Sequence, residues 1–197
     1  DGTVRAWGDV VRAMRPRGDQ RSYVVPPSPL AGLEHIARVF GSTGDGFAMT
    51  ETGDIVTWGG DSRGYLGLGV THEDPLPPTP HPLEDVVALA PGAGAVAAVL
   101  KDGRVLTWGF NVQANLGNGL IGDTSDKGYP TPAPVKGLTD AVDVKAGTYG
   151  RHIIVKRRNR TLIGWGNSDW GQLGAGVVGD FQPAPKPIAL PDVEDYW

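Results

Sequence analysis

The sequence contains no cysteine, which excludes a disulfide framework, a thiolate metal site and a cysteine nucleophile. It has no long apolar run and no signal-peptide layout, so it reads as a soluble chain with no membrane insertion. It also lacks a basic surplus. Lys and Arg number 18 against 22 Asp and Glu, and a net charge of −4 argues against a general nucleic-acid binder, whose domain is normally basic. No window sustains helical periodicity. What is abundant is glycine and proline, 30 and 17 of 197 residues, beside 40% apolar residues. That mixture is rich in turns yet too apolar for a disordered chain.

One stretch returns along the chain. Thr52 to Gly69 reads TGDIVTWGGDSRGYLGLG, Asp102 to Gly119 reads DGRVLTWGFNVQANLGNG, and Asn159 to Gly176 reads NRTLIGWGNSDWGQLGAG. The front half alone opens the chain as DGTVRAWG. The Trp-Gly pairs begin at Trp7, Trp58, Trp108 and Trp165, at intervals of 51, 50 and 57 residues. Periods of this size mark a repeat architecture.

Each period divides into four short segments. An apolar run comes first (Ile36 to Phe40, Val86 to Ala90, Ala141 to Lys145), followed by a glycine turn and a second run (Phe47 to Met49, Val96 to Leu100, His152 to Val155). A two-residue turn, Asp-Gly or Thr-Gly, leads into the strand ending at Trp-Gly, with glycine accepting positive φ. The fourth segment carries Pro-x-Pro-apolar, at Pro27 to Leu30, Pro80 to Leu83, Pro132 to Val135 and Pro185 to Ile188. Proline has no ladder donor, so this segment is expected on a sheet edge. Four strands per period of about 50 residues is the pattern of a β-propeller blade. Residues 1–197 then form one propeller segment, with repeats of about 1–51, 52–101, 102–158 and 159–197.

Strand, tight turn, strand, Trp-Gly, Gly-x-Leu-Gly-x-Gly and a proline-rich return together resemble the RCC1 (regulator of chromosome condensation) repeat. The resemblance covers nearly the whole chain. It is specific where Leu66-Gly67, Leu116-Gly117 and Leu173-Gly174 stand at one offset from Trp. It implies an all-β propeller, in that family typically of seven blades. The first repeat departs, because DVVRAMRPRGDQRSY replaces the glycine motif after Trp7-Gly8. The last period stops after PDVEDYW, where the apolar strand of a next blade is expected to begin. An open arc of about four blades follows, completed by further blades or other chains, since each blade buries a face on its neighbour.

Several patterns imitate enzyme motifs. Gly60-Asp61-Ser62-Arg63-Gly64 matches the hydrolase elbow, but Val112 and Asp169 hold the serine's place in the other repeats and no helix follows. Gly117-x-Gly119-x-x-Gly122 and Gly174-x-Gly176-x-x-Gly179 match the dinucleotide fingerprint without opening a helix. Asp123 to Gly128 starts like a calcium loop, yet Lys127 and Pro134 occupy ligand positions. His72, Glu73 and Asp74 with His81 lie in a proline-rich return without ligand spacing. His152 reads as a packing residue. No catalytic residue, cofactor or metal is therefore expected.

The residues left over point to binding. Trp7, Trp58, Trp108 and Trp165 belong to the repeat and are expected in the core or between blades, whereas Trp170 occupies a loop position. Arg12, Arg15, Arg17 and Arg21 fill the rebuilt first loop. Lys156, Arg157, Arg158 and Arg160 surround a turn in which Asn159-Arg160 replaces Asp-Gly. Arg at a positive-φ position costs on the order of 1 kcal/mol. A blade strand of about six residues separates its ends by about 20 Å. The two basic clusters then fall on opposite faces, and the first loop with Trp170 is the expected partner site. The function expected is a non-enzymatic protein–protein interaction module. The alternative is a structural or surface component, such as an adhesin, tail-fibre or baseplate part of bacterial or phage origin. The resemblance also admits an exchange factor for a small GTPase or an inhibitor of β-lactamase. The compartment stays open, with an extracytoplasmic place among the readings.

Overall fold

A computed structural model describes residues 2–8, 25–41, 45–61, 63–122, 128–147, 151–174, 178–190 and 193–196. Every regular element among them is a strand. Strands β1 (Arg5–Gly8) and β2 (Val25–Pro29) pair as a two-stranded sheet. The second sheet holds β3 (Ile36–Gly41), β4 (Asp45–Thr50), β5 (Ile55–Asp61) and β6 (His72–Pro80). The third holds β7 (Val86–Pro91), β8 (Ala95–Leu100), β9 (Val105–Gly109) and β10 (Tyr129–Pro134). The fourth holds β11 (Ala141–Ala146), β12 (His152–Arg157), β13 (Leu162–Asn167) and β14 (Phe181–Ile188). Each of the three four-stranded sheets is an antiparallel meander in chain order, the blade of a β-propeller.

Composition explains the order within a blade. The aliphatic strands β3, β7 and β11 form one edge of each sheet and meet one another across sheets. The proline-rich strands β6, β10 and β14 form the other edge, where a missing N–H leaves no ladder bond unmade. Strand β8, AVAAVL, is buried along its whole length because it has a sheet on either side. The sequence repeat and the sheet are offset. Residues 52–101 supply β5 and β6 to one sheet and β7 and β8 to the next.

The cores lie between sheets. One joins Phe47, Met49 and Ile55 of the second blade to Val96, Ala98 and Trp108 of the third. Another joins Val99 and Val105 to Ile153, Val155 and Trp165 of the fourth. The turn glycines sit at these seams. Gly53 has φ +92°, and a Cβ there would lie 2.6 Å from the Val86 carbonyl oxygen of the next blade. The fourth blade places Arg160 at this point with φ +66°. The Asn159 side chain supports the turn by accepting from the Thr161 N–H (3.2 Å) and hydroxyl (2.7 Å).

The last stretch corrects one expectation. The N–H groups of Ile36, Val86 and Ala141 bond to the carbonyls of Gly2, Gly53 and Gly103 as each new blade begins. Val193 does the same to Arg160 at 3.2 Å. The apolar-strand path thus starts inside PDVEDYW rather than after it. Tyr196 joins Ile154, Leu162 and Ile188 in a third core, with its hydroxyl donating to the Ile154 oxygen at 3.4 Å.

Candidate interaction surface

The strand ending at Trp-Gly gives the propeller two unlike ends. At its start lie the tight turns before β5, β9 and β13, here termed the turn face. At its finish lie the long loops after β5, β9 and β13, the loop face.

The loops are held from within. Asp61 is buried and accepts the Leu66 N–H (2.9 Å) on one oxygen while the other meets His72 Nδ1 (2.9 Å). Asn111 takes the same place in the third blade, accepting the Leu116 N–H at 3.0 Å. The loops are also tied to the following blade. The N–H of Gly69 bonds to the Pro130 oxygen (2.9 Å), and that of Gly119 to the Pro183 oxygen (2.8 Å). Trp108 Nε1 donates to the Tyr65 oxygen and Trp165 Nε1 to the Asn115 oxygen, both at 2.9 Å. Gly67 and Gly117 make room, since a Cβ there would lie 2.6 Å and 2.8 Å from the respective indole nitrogens.

Two of the four repeat tryptophans depart from the expected core position. Trp58 is half-buried, against Gly46 of its own sheet, and Trp7 is 65% exposed. The reason lies in the docking partner. Trp108 and Trp165 each use a Leu-Gly loop from the preceding repeat. The segment before Trp58 has lost that motif, and its residues 9–24 lie outside the described residues.

These contacts also account for the enzyme-like patterns. In Gly60 to Gly64, Asp61 serves as a loop cap; Ser62 lies outside the described residues. Gly117 and Gly119 serve the Trp165 seam and the Pro183 bond. Gly176 and residues 123–127 lie outside the described residues. Among the described residues no group of three His, Asp or Glu is placed to hold a metal ion. His72 begins β6 and His81 follows its end, about 25–30 Å away at 3.3 Å per residue. His81 instead lies on Trp108, ring centroids 5.2 Å apart, and its Nδ1 accepts the Leu83 N–H at 3.1 Å. Burial lowers its pKa to about 4, so the ring is neutral. The His152 ring fills the space beside Gly147.

The basic turn of the fourth blade is on the turn face and largely paired. Arg157 Nε donates to both oxygens of Asp140 (2.8 and 3.0 Å), a hydrogen bond that raises its already high pKa. Arg160 reaches Glu194 Oε1 at 2.9 Å, and Lys156 donates to the Glu194 main-chain oxygen. Arg158 is exposed. Arg12, Arg15, Arg17 and Arg21 lie outside the described residues. Trp170 is on the loop face and 89% exposed. Its loop is locked beneath it: Asn167 Oδ1 accepts from the Asp169 N–H (2.8 Å) and Gln172 Nε2 (2.9 Å), and Gln172 Oε1 accepts the Trp170 N–H (2.8 Å).

The family model described as the Regulator of chromosome condensation (RCC1) repeat matches residues 102–150, the span from the third tight turn through β9, β10 and β11. That span is an RCC1 repeat, and the chain folds as an RCC1-like β-propeller. The ultraviolet-B receptor UVR8 of Arabidopsis thaliana is 32% identical over 188 residues, 93% of this chain and 41% of the receptor. Protein pim1 of Schizosaccharomyces pombe is 29% identical over 196 residues, 89% of this chain and 35% of pim1. Yeast RCC1 (Prp20), solved with Kap60 bound, superposes with a TM-score of 0.77 at 20% identity, over 96% of this chain and 45% of Prp20. The chain therefore spans less than half the length of these relatives. The yeast likeness establishes the RCC1-type fold and no more.

Proposed function

We propose that this RCC1-repeat chain is a non-enzymatic protein-interaction module whose partner docks on the loop face with Trp170 as an anchor. The observation that carries the reading is an indole 89% exposed on a loop whose backbone is fixed by Asn167 and Gln172. An exposed Trp contributes little to the fold, while a pre-ordered aromatic loses little entropy on binding. Arg12, Arg15, Arg17 and Arg21 enter the same proposal, because their segment joins β1 to β2 as the Trp170 loop joins β13 to β14. Fold alone does not choose among roles. Protein binding is the level the reading shares with the yeast protein Prp20p, studied for binding to Gsp1p and histones. Exchange-factor and enzyme-inhibitor roles stand behind it.

A second reading, docking of neighbouring blades or subunits, draws on Val39. It is 53% exposed at the place held by buried Leu89 and Val144 in the next two blades. A further sheet, from the same polypeptide or another chain of a larger surface assembly, would cover it.

The test is a photo-cross-linking amino acid placed at position 170 and, separately, at 158 on the turn face, in the source organism. A discrete protein adduct from 170 alone is expected. An adduct from 158 alone would put the site on the wrong face.

A further inference from the structure

The loop that follows β5 rests on two carboxyl groups. Asp61 closes it from beneath with a carboxylate that is fully buried. One oxygen accepts the Leu66 N–H and the other faces His72 Nδ1, both at 2.9 Å. A carboxylate only accepts, so Nδ1 carries the proton of that bond. Asp45 stands opposite Gly59 at the start of β4, and its carboxylate accepts the Gly60 N–H. The same register position holds Ala95 in the third blade and His152 in the fourth. Three residues after the repeat Trp, Asp61 gives way to Asn111 and then Ser168. Among the described blades the acidic pair is confined to the second.

This loop is also one side of a seam. Residues 63–71 supply the Tyr65 oxygen that accepts from Trp108 Nε1 and the Gly67 notch beside that ring. The Tyr65 hydroxyl donates to the Gly92 oxygen and the Gly69 N–H to the Pro130 oxygen, both in the third blade. A looser loop is therefore a looser joint between the second and third blades. The next joint, Trp165 Nε1 on the Asn115 oxygen, has the same construction over the neutral Asn111.

Two carboxylates in one site repel, and burial leaves little water to screen them. Burial first, and then the charge of Asp61, push the Asp45 pKa up to about 7, against the bond from Gly60. Opening the loop returns Asp45 towards its ordinary 3.8, so closure is favoured most below that pH. The preference falls as pH rises and levels off above about 7. Protonation of His72 adds a charge to its bond with Asp61 and acts in the same direction. His81 packs on Gly67 and acts in the opposite one, since burial favours its neutral ring. Arg63 lies over the Phe110 ring, Glu73 and Asp74 are exposed on β6, and the facing strand β10 has no charged residue. Residues 9–24, 42–44, 62 and 123–127 lie outside the described residues.

We propose that Asp45 and Asp61 form a proton-operated clamp on the seam between the second and third blades. With a proton on Asp45, the loop of residues 63–71 is held shut against Trp108. Without it, the two carboxylates repel and the loop opens more often. The clamp belongs to this chain alone and does not rest on the interaction-module reading.

The experiment follows hydrogen exchange of the Trp108 and Trp165 indole N–H groups by nuclear magnetic resonance, from about pH 5 to about pH 8. The whole chain is compared with Asp45→Asn, each rate being corrected for intrinsic exchange. Dividing wild-type opening by that of the variant at each pH cancels His72 and His81, which both proteins share. At Trp108 this ratio is expected to rise at least about tenfold between about pH 5 and about pH 7, then level off. At Trp165 it is expected to stay flat. Asp61→Asn is expected to shrink the rise at Trp108 without abolishing it, because burial is the larger cause. Asp45→Ala, which places the third blade's residue at this position, gives the same comparison if the amide is not accommodated. A flat ratio at Trp108 would overturn the clamp. So would an equal rise at Trp165, which would mean that Asp45 acts on the whole fold and not on its own seam.

Discussion

The indole Nε1 of Trp108 donates to the main-chain oxygen of Tyr65, 43 residues earlier and in the preceding blade, at 2.9 Å. Trp165 repeats the bond to Asn115. Each bond satisfies a buried N–H that would otherwise cost about 1–3 kcal/mol, and each places a fully buried ring in a seam between sheets. Trp108 and Trp165 are thus pegs between blades, and their loss is a loss of coupling.

Trp108→Ala is expected to destabilise the chain by about 3–5 kcal/mol, and Trp170→Ala by less than about 0.5 kcal/mol. Urea unfolding followed by far-ultraviolet circular dichroism measures both. Equal losses would show that burial at the repeat position is not what holds the blades.

Gly67 and Gly69 separate backbone strain from collision. Both have positive φ, +74° and +84°, but a Cβ at Gly67 would strike Trp108 and His81, whereas Gly69 faces open space. Gly69→Ala is expected to cost about 1 kcal/mol, the left-handed penalty alone, and Gly67→Ala several times more. Matching unfolding midpoints for the two variants would contradict the peg-and-notch geometry.

Two buried groups give opposite pH dependences. His81, held neutral by burial with a pKa of about 4, contributes stability that is complete above its ordinary 6.5 and is lost as pH falls towards 4. Asp45 is raised to about 7, by burial first and then by the charge of Asp61, against a hydrogen bond from the Gly60 backbone. Its contribution is complete below the ordinary 3.8 and is lost as pH rises towards 7. Between about pH 4 and 6.5 the two slopes oppose each other. His81→Gln is therefore expected to expose a decline with rising pH, and Asp45→Asn a decline with falling pH. Unfolding midpoints across that window report both, and parallel profiles for the two variants would refute the assignment.

The blade was legible because its signals are local. Asp-Gly turns, Trp-Gly strand ends and Pro-x-Pro edges each name a conformation within a few residues, and thirteen of the fourteen strands overlap segments read that way, whereas β6 (His72–Pro80) meets its Pro-x-Pro segment only at Pro80. The fate of Trp58 was not legible, because Trp108 and Trp165 are buried against a Leu-Gly notch supplied by the preceding repeat and the segment before Trp58 lacks that motif. That is a property of a neighbour about 50 residues away. The pairing of Arg160 with Glu194 was hidden for the same reason. Val70 and Leu120 were visible as letters, each following a Gly-x-Gly, but their exposure follows from both glycines bonding to the next blade.

At the fourth turn, Arg160→Gly removes a left-handed Arg and an exposed ion pair together. Relief of about 1 kcal/mol offsets a pair worth about 0–1 kcal/mol, so thermal melting is expected to shift little. Glu194→Gln loses the pair without the relief and is expected to be slightly destabilising. A large stabilisation by Arg160→Gly would mean that the pair with Glu194 contributes nothing.

Trp170 carries the claim that the loop face binds and the seams hold. The deciding measurement is the affinity of Trp170→Ser for the protein captured by cross-linking at position 170, taken beside its melting temperature. The expected result is at least about a tenfold loss of affinity with melting unchanged. An unaltered affinity with lowered melting would make Trp170 a structural residue and move the binding site elsewhere.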